Sequence, residues 1–165
     1  MRQAGADTTG NAASADQSGE APRGAGDEAR AARSENDPRG ATRVLVVDDE
    51  PAVRRFVAEA LRGAGYEVLL AGSGREALGI VYGENLSPAL LITDIEMPGM
   101  TGVELAARVR ADRPAIRVVL MTGRETSAAR AREREGLVEG VLLKPFGLAE
   151  LLDAVFGTIG EPARD

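Results

Sequence analysis

The sequence predicts an open, doubly wound α/β fold: a five-stranded parallel sheet with helices on both faces. Two observations carry this. From Arg43 onward, five short apolar runs alternate with five stretches of helical periodicity. The runs are continuously apolar rather than alternating, as strands are when both faces of a sheet are covered. Short connections and right-handed crossovers then favour the open parallel arrangement.

The elements follow in order. "RVLVV" (43–47) reads as a buried strand. "PAVRRFVAEALRGAG" places Val53, Phe56, Val57, Ala60 and Leu61 on one helical face, with Pro51 in the first turn and a stop at Gly63 or Gly65. "YEVLLA" (66–71) is the second strand, and "GREALGIVYGE" (74–84) a helix with Ala77, Leu78 and Val81 inward. "ALLIT" (89–93) is the third strand, followed by a helix over 102–112 that stops before Pro114. "IRVVLM" (116–121) is the fourth strand. The helix over 125–136 has only alanines as apolar residues, so loose packing is expected of it. "GVLL" (140–143) is a short fifth strand and "LAELLDAVFGTI" (148–159) the last helix.

Residues 1–40 contain no Val, Ile, Leu, Phe, Tyr or Trp. Such a segment buries too little apolar surface to offset its ordering entropy, so a disordered tail is expected there. The folded domain is expected over 41–160, with a short C-terminal tail at 161–165.

Composition excludes several chemistries. The chain has no cysteine and no histidine, which removes disulfides, thiol catalysis, thiolate metal sites and imidazole bases. The net charge of -6 argues against a general nucleic-acid or membrane-surface binder. No apolar run reaches the roughly 18 residues of a membrane span, and no signal-peptide core opens the chain. A cytoplasmic location is the expectation. Of the 20 basic residues 19 are Arg, so the single Lys144 stands out as a compact point charge.

In a sheet of this kind ligands sit beyond the carboxyl ends of the strands. Those ends carry Asp48 and Asp49, Asp94, Thr122 and Lys144, from the first, third, fourth and fifth strands. The stretch "VLVVDDEP" puts three acids against a buried strand, a repulsive arrangement that calls for a cation. Three carboxylates without His or Cys make a hard oxygen site, for which Mg²⁺ is the natural ion. A carboxylate can also act as a nucleophile and form an acyl phosphate. Asp94 is the best candidate, because it opens the turn "IEMPGMTG" at the end of the central strand. Lys144 would neutralise phosphoryl oxygens, and the Thr122 hydroxyl would hydrogen-bond to one of them.

These motifs, "VLVVDDEP", "LLITDIEMPGMTG", "VVLMTG" and "LLKPF", resemble those of the receiver domain of two-component response regulators, over residues 43 to about 158. The resemblance implies a flavodoxin-like sheet of order 2-1-3-4-5. It implies that Asp94 accepts a phosphoryl group from a histidine kinase or a histidine phosphotransfer protein. Asp48, Asp49, Asp94 and the backbone carbonyl of Glu96 would hold Mg²⁺. Thr122 matches the switch hydroxyl, Lys144 the phosphate-contacting lysine, and the Lys144–Pro145 bond is expected to be cis. Contact with a downstream protein is the expected output, and the acidic balance and the lack of a membrane span argue against nucleic acid or membrane.

Departures from the family pattern bear on the output. The position three before the lysine, often Tyr or Phe, is Val141. Glu96 and Arg124 occupy positions that in the family tune acyl-phosphate lifetime by gating water. With few residues after Ile159, a stand-alone receiver is expected; a phosphate-independent adaptor and the receiver portion of a hybrid sensor kinase are the alternatives. Two motifs compete. "GSGREA" (72–77) fits a dinucleotide fingerprint but follows the second strand, and reads better as a turn and helix start. "DIE" is a poor fit to a dehalogenase-type phosphatase, and no phosphate-binding P-loop motif occurs.

Overall fold

The computed structural model describes residues 40–83 and 86–162. The tail expected over 1–40 lies outside these residues except for Gly40, as do residue 84 of the expected second helix and 163–165 of the C-terminal tail. The elements are β1 (Arg43–Val47), α1 (Pro51–Ala64), β2 (Glu67–Ala71), α2 (Gly74–Tyr82), β3 (Leu90–Asp94), α3 (Gly102–Asp112), β4 (Arg117–Thr122), α4 (Glu125–Arg132), β5 (Gly140–Leu143) and α5 (Leu148–Ile159). All strand pairs are parallel, and the order is β2-β1-β3-β4-β5.

Strand alternation divides the core into two layers. Leu45, Val47, Leu91, Val118 and Leu120 face α2, α3 and α4, where Ala77, Val81, Leu105, Val109 and Ala131 meet them. Val44, Val46, Leu90, Ile92, Val119 and Met121 face α1 and α5, against Val57, Leu61, Leu151 and Val155. Because successive side chains point to opposite faces, an apolar run with no polar interruption is what a doubly covered strand requires.

Helix starts follow their local chemistry. Pro51 begins α1, where its missing N–H costs nothing. Ser73 caps α2 by accepting from the Glu76 N–H, and Thr101 and Glu104 form a reciprocal capping box on α3. The first helix ends at Gly65, the later of the two expected stops. Tyr66 lies just before β2 rather than in it. Its N–H donates to the Leu61 carbonyl, and its hydroxyl donates to the Gly160 carbonyl at 2.6 Å. Pro162 is buried, so chain beyond the expected boundary at 160 also packs on the domain.

The fourth helix differs from expectation. It ends at Arg132 instead of running to 136. It is also not loosely seated: Ala128 and Ala131 are fully buried, and such small side chains let the helix approach the sheet closely. The segment after it is tied down by polar contacts that periodicity does not reveal. The Arg110 guanidinium donates to the carbonyls of Gly136 and Ile116 and pairs with Glu139 at 3.2 Å. Glu139 accepts the Val118 N–H at 2.6 Å, and Leu137 and Val138 pack on the first core layer.

This cluster predicts that Glu139→Ala destabilises the domain by about 1–3 kcal/mol, the cost of stranding a backbone donor and an arginine. Urea unfolding of the two proteins checks it; unchanged stability would show that the contacts are not made in solution.

Candidate functional site

The carboxyl ends of β1, β3, β4 and β5 bring Asp48, Asp49, Asp94, Thr122 and Lys144 to one edge of the sheet. Asp94 and Thr122 are the last residues of their strands rather than the first of their loops, and register holds them: Asp94 pairs with Met121, and Thr122 with Leu143. Asp48 and Thr122 are fully buried and Asp94 nearly so, whereas Asp49 is exposed. Carboxylate oxygens of Asp48, Asp49 and Asp94 lie within 4.8 Å of one another.

The cation already present in this cluster is Lys144. Its Nζ donates to Asp48 Oδ2 at 2.9 Å and to Asp94 Oδ1 at 3.2 Å. The other Asp48 oxygen accepts the Glu50 N–H at 2.9 Å. Lys144 thus offsets the buried charge of Asp48, while Asp49 stays exposed to solvent. Burial works against the lysine ammonium, but the two carboxylates outweigh it and raise its pKa above the ordinary value. Burial pushes the Asp94 carboxyl up to about 6; Lys144 opposes this, and Asp48 and Glu96 add to it. The all-oxygen donor set of Asp48, Asp49 and Asp94 suits a hard divalent cation such as Mg²⁺.

The loop after β3 is shaped by two close approaches. A Cβ on Gly102 would lie 1.9 Å from the Asp94 carbonyl oxygen, so only glycine lets α3 start there. The Gly102 N–H donates to the Ile95 carbonyl at 2.9 Å, closing the turn beneath Asp94. At Gly74 a Cβ would lie 2.9 Å from the Met100 sulfur. The second glycine of "GSGREA" therefore admits a methionine from the loop after β3, which explains the motif without a dinucleotide.

Three features were not legible in the sequence. The Glu96 side chain, expected to bear on acyl-phosphate lifetime but not to meet Thr122, accepts the Thr122 hydroxyl with both oxygens at 2.9 Å. Arg54 donates to the Asp48 carbonyl and lies against Gly72. Adjacent Arg54 and Arg55 look alike in sequence, and only helix phase separates them. An apolar groove of about 440 Å³, lined by Ala52, Val53, Phe56, Pro145 and Phe146, borders Lys144. The Lys144–Pro145 bond is cis, as expected. Val141 is half-buried on the first core layer, paired with Leu120.

Residues 44–156 match the family model described as response regulator receiver domain. The chain belongs to the response regulator receiver family. Among curated relatives, the response regulator MprA of Mycolicibacterium vanbaalenii is 34% identical over 110 residues, which is 67% of this chain and 47% of that protein. The chain thus spans about half the length of the curated relatives it matches. Among solved structures, response regulator TrrA of Thermotoga maritima, complexed with Mg²⁺ and BeF, is 34% identical with a TM-score of 0.62, covering 70% of this chain and 97% of that one. The chemotaxis response regulator CheY4 of Vibrio cholerae is 35% identical with a TM-score of 0.62, covering 70% and 96%. Receiver domains are signalling modules of two-component systems, and in general they engage histidine kinases or phosphotransfer proteins. Among the described residues of this receiver, no helix is long and apolar enough to cross a membrane.

The raised Asp94 pKa sets a pH dependence for the metal-free receiver. Between 3.8, its ordinary value, and about 6, the folded chain binds more protons than the unfolded one, so stability falls as pH rises through that window. The full penalty applies at neutral pH. Asp94→Asn should therefore be the more stable protein at pH 7.5 in chelator, with the gap closing below pH 4. Urea unfolding across that range checks it; a variant less stable at pH 7.5 contradicts the assignment.

Proposed function

We propose that this receiver is phosphorylated on Asp94 by a phosphohistidine donor and signals by contact with a downstream protein. The observation that carries the proposal is Lys144, held at 2.9 Å from Asp48 and 3.2 Å from Asp94, which puts a fixed ammonium beside the candidate nucleophile.

An Asp94 carboxylate oxygen attacks the phosphorus of an N-phosphorylated imidazole on a histidine kinase or histidine phosphotransfer protein. The new O–P bond forms as the P–N bond breaks; the electron pair leaves with the imidazole, which takes up a proton. Lys144 pairs with a phosphoryl oxygen, and the Thr122 hydroxyl donates to another. Asp48, Asp49, Asp94 and the Glu96 backbone carbonyl would hold Mg²⁺, which when bound supplies positive charge to the phosphoryl oxygens. Water later cleaves the acyl phosphate, so the only catalysis is the domain's own phosphorylation and dephosphorylation. The groove beside Lys144 offers an apolar rim for a donor protein, and a cytoplasmic location is part of this reading. The sheet-edge cluster is the proposed site, in a folded domain spanning about residues 41–160.

Val141 favours one second reading, a receiver-like adaptor that signals without phosphate, because no aromatic side chain stands at that position to relay the state of Thr122. Intact mass after incubation with acetyl phosphate and Mg²⁺ separates the two. The proposal expects one phosphoryl adduct on the wild type and none on Asp94→Asn; no adduct on a folded wild type leaves the adaptor.

The metal assignment has its own test. Mg²⁺ at about ten times its Kd should stabilise the domain by about 1.4 kcal/mol. Asp49→Ala should abolish the resulting rise in Tm; a rise that persists unchanged rules out Asp49 as a ligand.

A further inference from the structure

The Thr122 hydroxyl has one proton to donate. In this structure it goes to Glu96, whose two oxygens both lie 2.9 Å from Oγ1; the Arg124 carbonyl is a longer contact at 3.5 Å. A charged acceptor takes the stronger bond. The same oxygen accepts the Arg124 N–H at 3.0 Å, so the hydroxyl is engaged as both donor and acceptor. Thr122 is fully buried, and its carbonyl accepts the Lys144 N–H at 2.8 Å. The backbone at Thr122 is therefore pinned, and only the side chain is left to respond to a change at Asp94.

A phosphoryl group on Asp94 would need that same proton. It would also bring negative charge close to the Glu96 carboxylate, which already acts on Asp94. Two anionic acceptors cannot share one hydroxyl proton, and their repulsion favours expelling one of them. Glu96 is the one that can leave. It is only partly buried, and it sits on the loop between β3 and α3 at the rim of the site. Asp94, in contrast, is held in strand register.

We propose that the Glu96 carboxylate is a resting-state latch on the Thr122 hydroxyl, occupying the bond that a phosphoryl oxygen must take, so that phosphorylation releases Glu96 toward solvent. Glu96 is thus a positioning residue that acts through Thr122. It also supplies a moving group at the site of a receiver that has Val141 where an aromatic often relays the switch. This inference rests on the phosphoacceptor reading of Asp94.

The test is a pair of double-mutant cycles on the full chain, using Glu96→Ala and Thr122→Ala. The first measures urea unfolding in chelator, with no phosphodonor. The latch requires a favourable coupling between the two positions, and additive losses overturn it. The second measures the Kd for beryllofluoride in the presence of Mg²⁺. Glu96→Ala should tighten binding by about tenfold when Thr122 is present, the size expected for removing a competing bond to a charged acceptor, and should change nothing in the Thr122→Ala background. Glu96→Gln keeps an acceptor of the same shape and should fall between wild type and Glu96→Ala. Equal tightening in both backgrounds would mean that Glu96 acts by its charge alone, and the latch is then wrong; no tightening also overturns it. If the folded wild type takes no beryllofluoride, the phosphoacceptor reading falls and this inference falls with it, an outcome distinct from the others.

Discussion

One ammonium group, bridging two buried carboxylates, organises the site. Asp48 ends up wholly buried at the end of β1 and Asp94 almost so at the end of β3, and each would be costly there as an isolated anion. Lys144 comes from the far edge of the sheet, one residue past β5, and contacts both. Its placement depends on the parallel order, which sets β1 beside β3 and carries β5 round through β4. The pair of contacts therefore closes the site across strands that are distant in the chain. Removing Lys144 would leave both buried carboxylates uncompensated, which is why the three residues form a unit rather than three independent contributions.

Around this unit the backbone is arranged by absence of side chains as much as by their presence. Gly102 lets the start of α3 press against the Asp94 carbonyl, and Gly74 lets Met100 press against the start of α2. The loop after β3 is thereby fixed at both ends, and Ile95 adds a bond from its N–H to the Met121 carbonyl at 2.8 Å. A rigid turn of this kind holds Asp94 in place while Glu96, two residues on, keeps a side chain partly free.

The α4–β5 side of the domain rests on small aliphatic side chains and polar ties. Val141 fills its place in the first core layer as an aliphatic residue, and α4 is short, alanine-packed and followed by a segment held through Arg110 and Glu139. The charged stretch from Arg124 to Glu135 is therefore not a sign of a weak element. Its charges mostly face solvent, and its buried residues are two alanines too small to register as an apolar face.

The class of fold, the strand count and the set of residues at the sheet edge were all readable along the chain. Doubly covered strands must be continuously apolar, and functional groups in such sheets gather where strands end, so both are written locally. The motifs carried the family and the sheet order in the same way. Relations between segments far apart in the chain were not readable in that way. These include that Lys144 reaches Asp48, that the Glu96 carboxylate accepts the Thr122 hydroxyl, and that Arg54 rather than Arg55 holds the Asp48 carbonyl. They also include the Tyr66–Gly160 bond at the expected end of the domain and the burial of Pro162 beyond it. A hydrogen bond between side chains 26 residues apart leaves no periodic trace, because its geometry depends on strand register and rotamer rather than on spacing along the chain.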